Sequence, residues 1–527
     1  MAEIARKIEV EIQNGDSNLT SFGGLCSIIR LFFKMKLDRI IDSFIGARND
    51  RGAKDSEHVL ALVLLNLAGG TSVDALSFLR KKLGLEKFGI RIPSPTACRD
   101  WLNLFHNPSE EPGRGMGRCF IPESNDCLNG WRDVFAKSFL YAWKLNPRRF
   151  LTFDMDDTEI ETKVEGSLFN YKGNRGFWAF ITYCAELEQI VSTRYCDGNV
   201  TPGWRQLEEF RHVLGTVPED VEIVALRSDC AGYQTELLRF CNENPDKRFK
   251  RIYYGVSAEI NDEFRAAAKA VPETKWKPLK TCGGENGETV VLQEWAEIVH
   301  VPNKLSTRKH GSDYRFLAIR EKWNGDWNDA YGETRSEGEL AEKAVKGEQL
   351  LLDEAVKEFE AENKRRKKLH LTRFEGKSVY KLFGIATNVE DGADGEAFGL
   401  AAGKEMDGRA IIEWQRKRCG KSEEVHHNLK EELAAGHVPS KYFGASAAWF
   451  NASALALNLH TLLKLSCLPK EYRKSRPRTL RFLLYTMAGK VVSHGRRVVL
   501  KVWEGDYGGK LLAGALAGLE ALPEPGV

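Results

Sequence analysis

The feature that most constrains this chain is a change of residue pattern at Arg149. Upstream, apolar residues recur every three or four positions. Downstream come four short pieces rich in β-branched and aromatic residues, FLTFDMDDTEI, GFWAFITYCAEL, QIVSTRYCDG and VEIVALRSD, which predict strands. The first carries Asp154, Asp156 and Asp157 at or near its end, and the last runs through five apolar positions into Asp229. Side chains alternate along a strand, so Asp154 and Asp156 share one face and Asp157 takes the other.

A helical stretch from Trp204 to Val213 precedes the fourth piece and another, Tyr233 to Asn242, follows it. Three adjacent strands, a helix, a buried strand and a helix predict an α/β sheet of the ribonuclease H type, with residues 146–250 as the first part of a catalytic core. In such sheets functional groups gather at the carboxyl ends of the strands. Each aspartate alone is equally well a turn or capping residue. Together they suit hard divalent cations, which take oxygen ligands; two ions ~3.5–4 Å apart can clamp the attacking and leaving oxygens of a phosphodiester. A third carboxylate is offered by RKRCGKSEEVHHNLKEEL, where Glu423 and Lys430 are two helical turns apart on one face. The same residues also describe a solvated charged helix. Adjacent His426 and His427 point to different faces, and the absence of an H-E-x-x-H spacing argues against zinc.

The remainder predicts an organisation around that core. Residues 1–145 form an N-terminal helical DNA-binding region, in which Ser94 and Pro95 suit a capped helix start. Residues 251–400 form a β-rich insertion that also holds a charged helical stretch from Glu337 to Lys368. Residues 401–466 supply the second part of the core, with the third acid on a helix, and 467–527 a basic C-terminal region. Net charge is only +3, yet bases cluster in KRRKKL (364–369) and KEYRKSRPRTLR (470–481), runs that fit a solvated helix face as well as a DNA footprint. Eleven cysteines without a C-x-x-C pair argue against a disulfide framework or a zinc ribbon. The longest apolar run near the start, Val59 to Leu67, falls far short of the ~20 residues of a membrane span, and no secretory signal precedes it. An intracellular protein is expected.

The order and wording of several segments resemble the DDE transposases of bacterial insertion sequences, specifically the thirteen-eighty family. They are LTSFGGL, FDMDDTEIE with GSLFNYKGNRGF after it, RYCDGNV, LRSDCAGYQTELLRFC, the stretch from RCGKSEEVHHNLKEEL to ALALNL, and MAGKVVSHGRRVVLKV. The resemblance implies that Asp156, two positions before Thr158, and Asp229 are the first two catalytic, metal-holding acids. Related enzymes place Tyr, Arg, Glu and Lys with two, three and six residues between them; here Trp414, Arg418, Glu423 and Lys430 have three, four and six. The last interval selects Glu423 over Glu424 as third acid, with Arg418 and Lys430 as contacts to DNA phosphate. It further implies Mg²⁺, with Mn²⁺ as substitute, and DNA partners in the form of terminal inverted repeats and target. Activity would be strand cleavage and strand transfer by a homodimer holding paired ends in the bacterial cytoplasm at the nucleoid. In relatives the insertion handles a flipped base, yet Trp276 and Trp295 suit a core better than a stacking surface. Two rival functions fit the same residues: a ribonuclease H-like nuclease without strand transfer, and an inactive transposase-derived DNA-binding protein.

Overall fold

The computed structural model describes residues 18–47, 52–83, 90–113, 126–283, 289–300, 314–323, 370–374, 378–494, 497–503 and 505–525. The charged stretch 337–368 and the KRRKKL run (364–369) lie outside the described residues.

After a two-residue strand β1 (Leu19–Thr20) come α1 (Cys26–Lys34), α2 (Leu37–Phe44), α3 (Asp55–Ala68), α4 (Leu76–Leu83), α5 (Pro95–Asn103) and α6 (Asp126–Leu145). The expected start of α5 is present: Ser94 accepts from the Ala97 N–H at 3.2 Å, and Pro95 occupies the first helical position. Helix α3 contains the apolar run noted above and is buried on nearly every side, as a central helix of a packed layer must be. Among the described residues no single helix is long and apolar enough to cross a membrane.

The pieces after Arg149 form β2 (Phe150–Glu161), β3 (Leu168–Phe169), β4 (Arg175–Cys184), β5 (Gln189–Asp197), α7 (Gln206–Thr216), β6 (Ile223–Ser228), α8 (Thr235–Glu243), β7 (Arg251–Ser257) and α9 (Asp262–Lys269). Strand β4 pairs antiparallel with β5 on one side and β2 on the other, and β6 and β7 then follow β2 in parallel. That order and sense is the ribonuclease H arrangement expected from the sequence. The sheet does not stop there. Strand β12 (Val379–Thr387) pairs antiparallel with β7, and β10 (Arg315–Lys322), β9 (Thr289–Ile298) and β8 (Lys277–Gly283) continue outward, with β11 (Leu371–Arg373) also on β12. Among the described residues eleven strands therefore make one mixed sheet. Residues 251–257, grouped with the insertion by sequence, are a strand of the parallel core.

The chain returns through α10 (Gly408–His427), a π-helical turn (Asn428–Glu432), α11 (Phe443–Ser466), the hairpin β13 (Gly489–His494) and β14 (Arg497–Lys501), which pairs with β1, and α12 (Tyr507–Ala521). Helices α7 and α8 cover one sheet face through Phe153, Leu226, Phe210 and Leu237. On the other face α11 packs against β4 and β5 and also against the N-terminal helices and α12, in one continuous core. Asn458 of α11 mimics a strand partner: its Oδ1 accepts from the Ile190 N–H at 2.8 Å and its Nδ2 donates to the Ile190 carbonyl at 2.7 Å. Helix α10 crosses β6 and β7 closely because Gly255 has no side chain; a Cβ there would sit 2.7 Å from the Trp414 ring.

Candidate active site

Register brings the two sequence-predicted aspartates together. Strands β2 and β6 run parallel with Met155 opposite Ser228, where β6 ends, so the next residue on each strand, Asp156 and Asp229, emerges at the same point. Strand β2 continues against β4 alone as far as Glu161, leaving its other edge free. Asp157, on the opposite face of the strand, turns around that free edge. Asp156, Asp157 and Asp229 consequently offer carboxylate oxygens that all lie within 4.8 Å of one another. They line a cleft of about 610 Å³ together with Glu159, Tyr171, Lys172, Cys230 and Lys430.

Each aspartate is held differently. Asp156 pairs with Arg418 of α10 at 2.7 Å and also accepts from the Ser422 side chain one turn further along. Asp229 caps a short 3₁₀ turn, accepting from the Ala231 N–H at 2.9 Å, so the capping role and a place in the cluster are compatible. Burial raises the carboxyl pKa of both Asp156 and Asp229. Asp157 is pushed up to about 7, by burial first and then by the charges of Asp229 and Asp156. Three carboxylates this close cannot all ionise without a proton or a cation between them, and an all-oxygen set is what Mg²⁺ or Mn²⁺ takes.

Asp154 serves the site from behind. It shares a face with Asp156, as alternation requires, but is buried against Arg227: Nε donates to Oδ1 at 2.6 Å and Nη2 to Oδ2 at 2.8 Å. The third donor arm, Nη1, reaches the Trp414 carbonyl of α10 at 2.7 Å. This two-pronged pair fixes the helix that delivers Arg418 to the strand that delivers Asp156.

The glutamates separate. Glu424 turns to Lys421, which also binds Glu188 at 3.0 Å, on the β4–β5 side. Glu423 is exposed on α10 beside Ser422 and near His426. Neither joins the three aspartates among the described residues. Lys430 lies in the π-helical turn, where one widened loop of backbone reorients the chain; its Nζ donates to the Glu159 carbonyl at 3.0 Å at the cleft wall. Arg418 is buried, and its Nε has no partner among the described residues. Trp276 and Trp295 are buried, in keeping with the core role preferred from sequence. Sequence reasoning passed over Asp157. The signal for it was the aspartate doublet on a strand long enough to outrun its parallel neighbour.

Comparison with known proteins bears on the part of the chain that completes this site. Residues 340–524 match the family model for the transposase DDE domain group 1, a segment that includes α10, Arg418, Glu423 and Lys430 but not the aspartates. No curated protein matches. Among solved structures, the cryo-EM structure of a piggyBac transposase synaptic complex with hairpin DNA superposes at a TM-score of 0.40 with 10% identity, covering 87% of this chain and 79% of that one; a superposition this loose adds no argument. The segment that carries α10 is thus similar to the DDE domain of transposases, and the sheet sets the three aspartates beside it.

Proposed function

We propose that the chain is a bacterial insertion-sequence transposase, similar to the thirteen-eighty family, that cuts DNA at transposon ends and joins them to target DNA with divalent metal ions. The observation that carries this reading is the meeting of Asp156 and Asp229 where the parallel pairing of β2 with β6 ends, under the helix that brings Arg418. Asp156, Asp157 and Asp229 would hold Mg²⁺, with Mn²⁺ as substitute, and the sequence spacing offers Glu423 as a further acid. When bound, such ions stabilise the charge that builds on phosphate oxygens during displacement. The residues contribute the rest. Asp154 and Arg227 keep the strand and helix in register, Lys430 at the cleft wall presents an ammonium to a phosphate, and the unpartnered Nε supports Arg418 in the same role.

The DNA partners are the terminal inverted repeats and the target, bound by a homodimer holding two ends in the bacterial cytoplasm. The N-terminal helices are assigned to DNA together with the C-terminal region, where Arg473, Lys474, Arg476 and Arg478 are all exposed. The test is cleavage and joining of a labelled end fragment with Mg²⁺. Asp156→Asn and Asp229→Asn should each lose at least about a hundredfold in cleavage while retaining end binding, and Glu423→Gln should follow them while Glu424→Gln does not. Full cleavage by Asp156→Asn would overturn the assignment; cleavage without joining in the wild type would leave a nuclease.

A further inference from the structure

The hairpin between β3 and β4 places an exposed aromatic ring at the rim of the acidic cleft. Tyr171 is 67% exposed, yet its ring lies parallel to that of Trp178, at an interplanar angle of 5° and a centroid separation of 5.7 Å. Trp178 is buried and anchored by its Nε1–H, which donates to the Gly198 carbonyl at 2.9 Å. The tip is tied down by Asn170, whose Oδ1 accepts from the Lys172 N–H at 2.9 Å and the Asn174 N–H at 3.1 Å. Lys172 stands 5.0 Å from the centroid of the Trp178 ring and pairs with Glu159 at 3.2 Å. The ring is held by a buried partner while its outer face is open to solvent, and Tyr171 and Lys172 line the same cleft as Asp157, Asp229 and Lys430.

We infer that Tyr171, backed by Trp178, is a stacking platform for an unpaired nucleobase of the DNA strand whose phosphate enters the acidic cleft. This inference rests on the transposase reading. The chemistry fits on both sides. Every nucleobase has a π face that stacks on an aromatic side chain whatever the sequence, and Lys172 and Lys430 set positive charge beside the ring for the adjoining backbone. A paired base inside a duplex has no free face to offer, so the platform selects a frayed, flipped or single-stranded nucleotide next to the reacting phosphate. It makes Tyr171 a positioning residue, since it would hold the nucleotide and not the reacting atoms.

The experiment uses the full chain in Ca²⁺, to suppress cleavage, and a short single-stranded oligo(dT) carrying one central 2-aminopurine, with a fully paired duplex of the same length beside it. Wild type should quench the 2-aminopurine emission and bind the single strand, and Tyr171→Ala should lose the quench and bind it roughly tenfold or more weakly, with little change for the duplex. Tyr171→Trp should restore both; because residue 171 is exposed, these changes leave the core intact. An unchanged quench and affinity in Tyr171→Ala would overturn the proposal, as would equal losses on single strand and duplex. Asp156→Asn keeps the two readings apart: it should retain the quench, and if it also still cleaves in Mg²⁺, the catalytic assignment fails while the platform stands.

Discussion

At the level of single residues the site is a contest between repulsion and containment. Asp157, with a pKa near 7, is protonated in the folded chain over a range where the unfolded chain has it ionised. Folding therefore takes up a proton between about pH 4 and pH 7. The sign follows: this group's contribution favours the metal-free fold at low pH and is lost as pH rises to 7. Asp157→Asn should accordingly narrow the gap in melting temperature between pH 5.5 and pH 8 in the metal-free protein, measured by calorimetry; a gap as wide as in wild type would show that repulsion at this cluster is negligible. The buried pair behind it is governed by a different balance. Removing Arg227 alone, as Arg227→Met, strands the Asp154 charge in the interior and should cost about 3–5 kcal/mol by denaturant unfolding. Adding Asp154→Leu should return much of that loss, whereas a double variant no better than the single would mean that the pair is not the source of the cost.

Helix α10 is the element on which the site depends, because among the described residues it carries Arg418 and Ser422 to Asp156 from outside the first half of the core. Its start is fixed by Asp407, whose Oδ1 accepts from the Ala410 N–H at 2.7 Å, and Asp407→Ala should destabilise the protein by ~1 kcal/mol with little effect on the cleft some three turns away. Its end runs into the π-helical turn that swings Lys430 to the cleft wall. As a point charge near phosphate, Lys430 should matter through ionic strength: Lys430→Gln should weaken end binding and reduce the slope of log affinity against log salt by about one. An unchanged slope would place Lys430 outside the DNA path. Trp414 marks where the spacing of the sequence pattern stretched: it lies on the buried face of α10, against Phe398 and over Gly255, and is therefore committed to packing.

Across the whole molecule, α11 binds the two ends of the chain to the sheet. Its residues Leu455 and Leu459 are fully buried in the core that also contains α1, α3, α6 and α12. His460 on the same helix is fully enclosed between the Tyr485 hydroxyl at 3.0 Å and the Ser475 carbonyl at 3.3 Å. Burial holds its pKa down to about 3. The unfolded chain binds a proton there first, so stability is lost as pH falls below about 6.5, and His460→Gln should flatten the acid limb of a stability-against-pH curve. The shared core also predicts that residues 1–145 expressed alone lack a cooperative thermal transition, because α3 would expose the apolar surface that α11 covers. A sharp calorimetric transition for that fragment would show that it folds independently.

Much of this was determined by the sequence itself, because local chemistry acts over a few residues. Alternation in FDMDDTEI placed Asp154 and Asp156 on one face, and the apolar run before Asp229 made it a strand end. What the sequence could not supply is what depends on register between distant segments. The parallel pairing of Met155 with Ser228 puts Asp156 beside Asp229, and the early end of β6 lets Asp157 join them from the other face. Pairing of β12 with β7 extends the core sheet into the insertion. These contacts join residues tens to more than a hundred positions apart, and only the packing of the whole chain selects among the registers that each strand alone would permit.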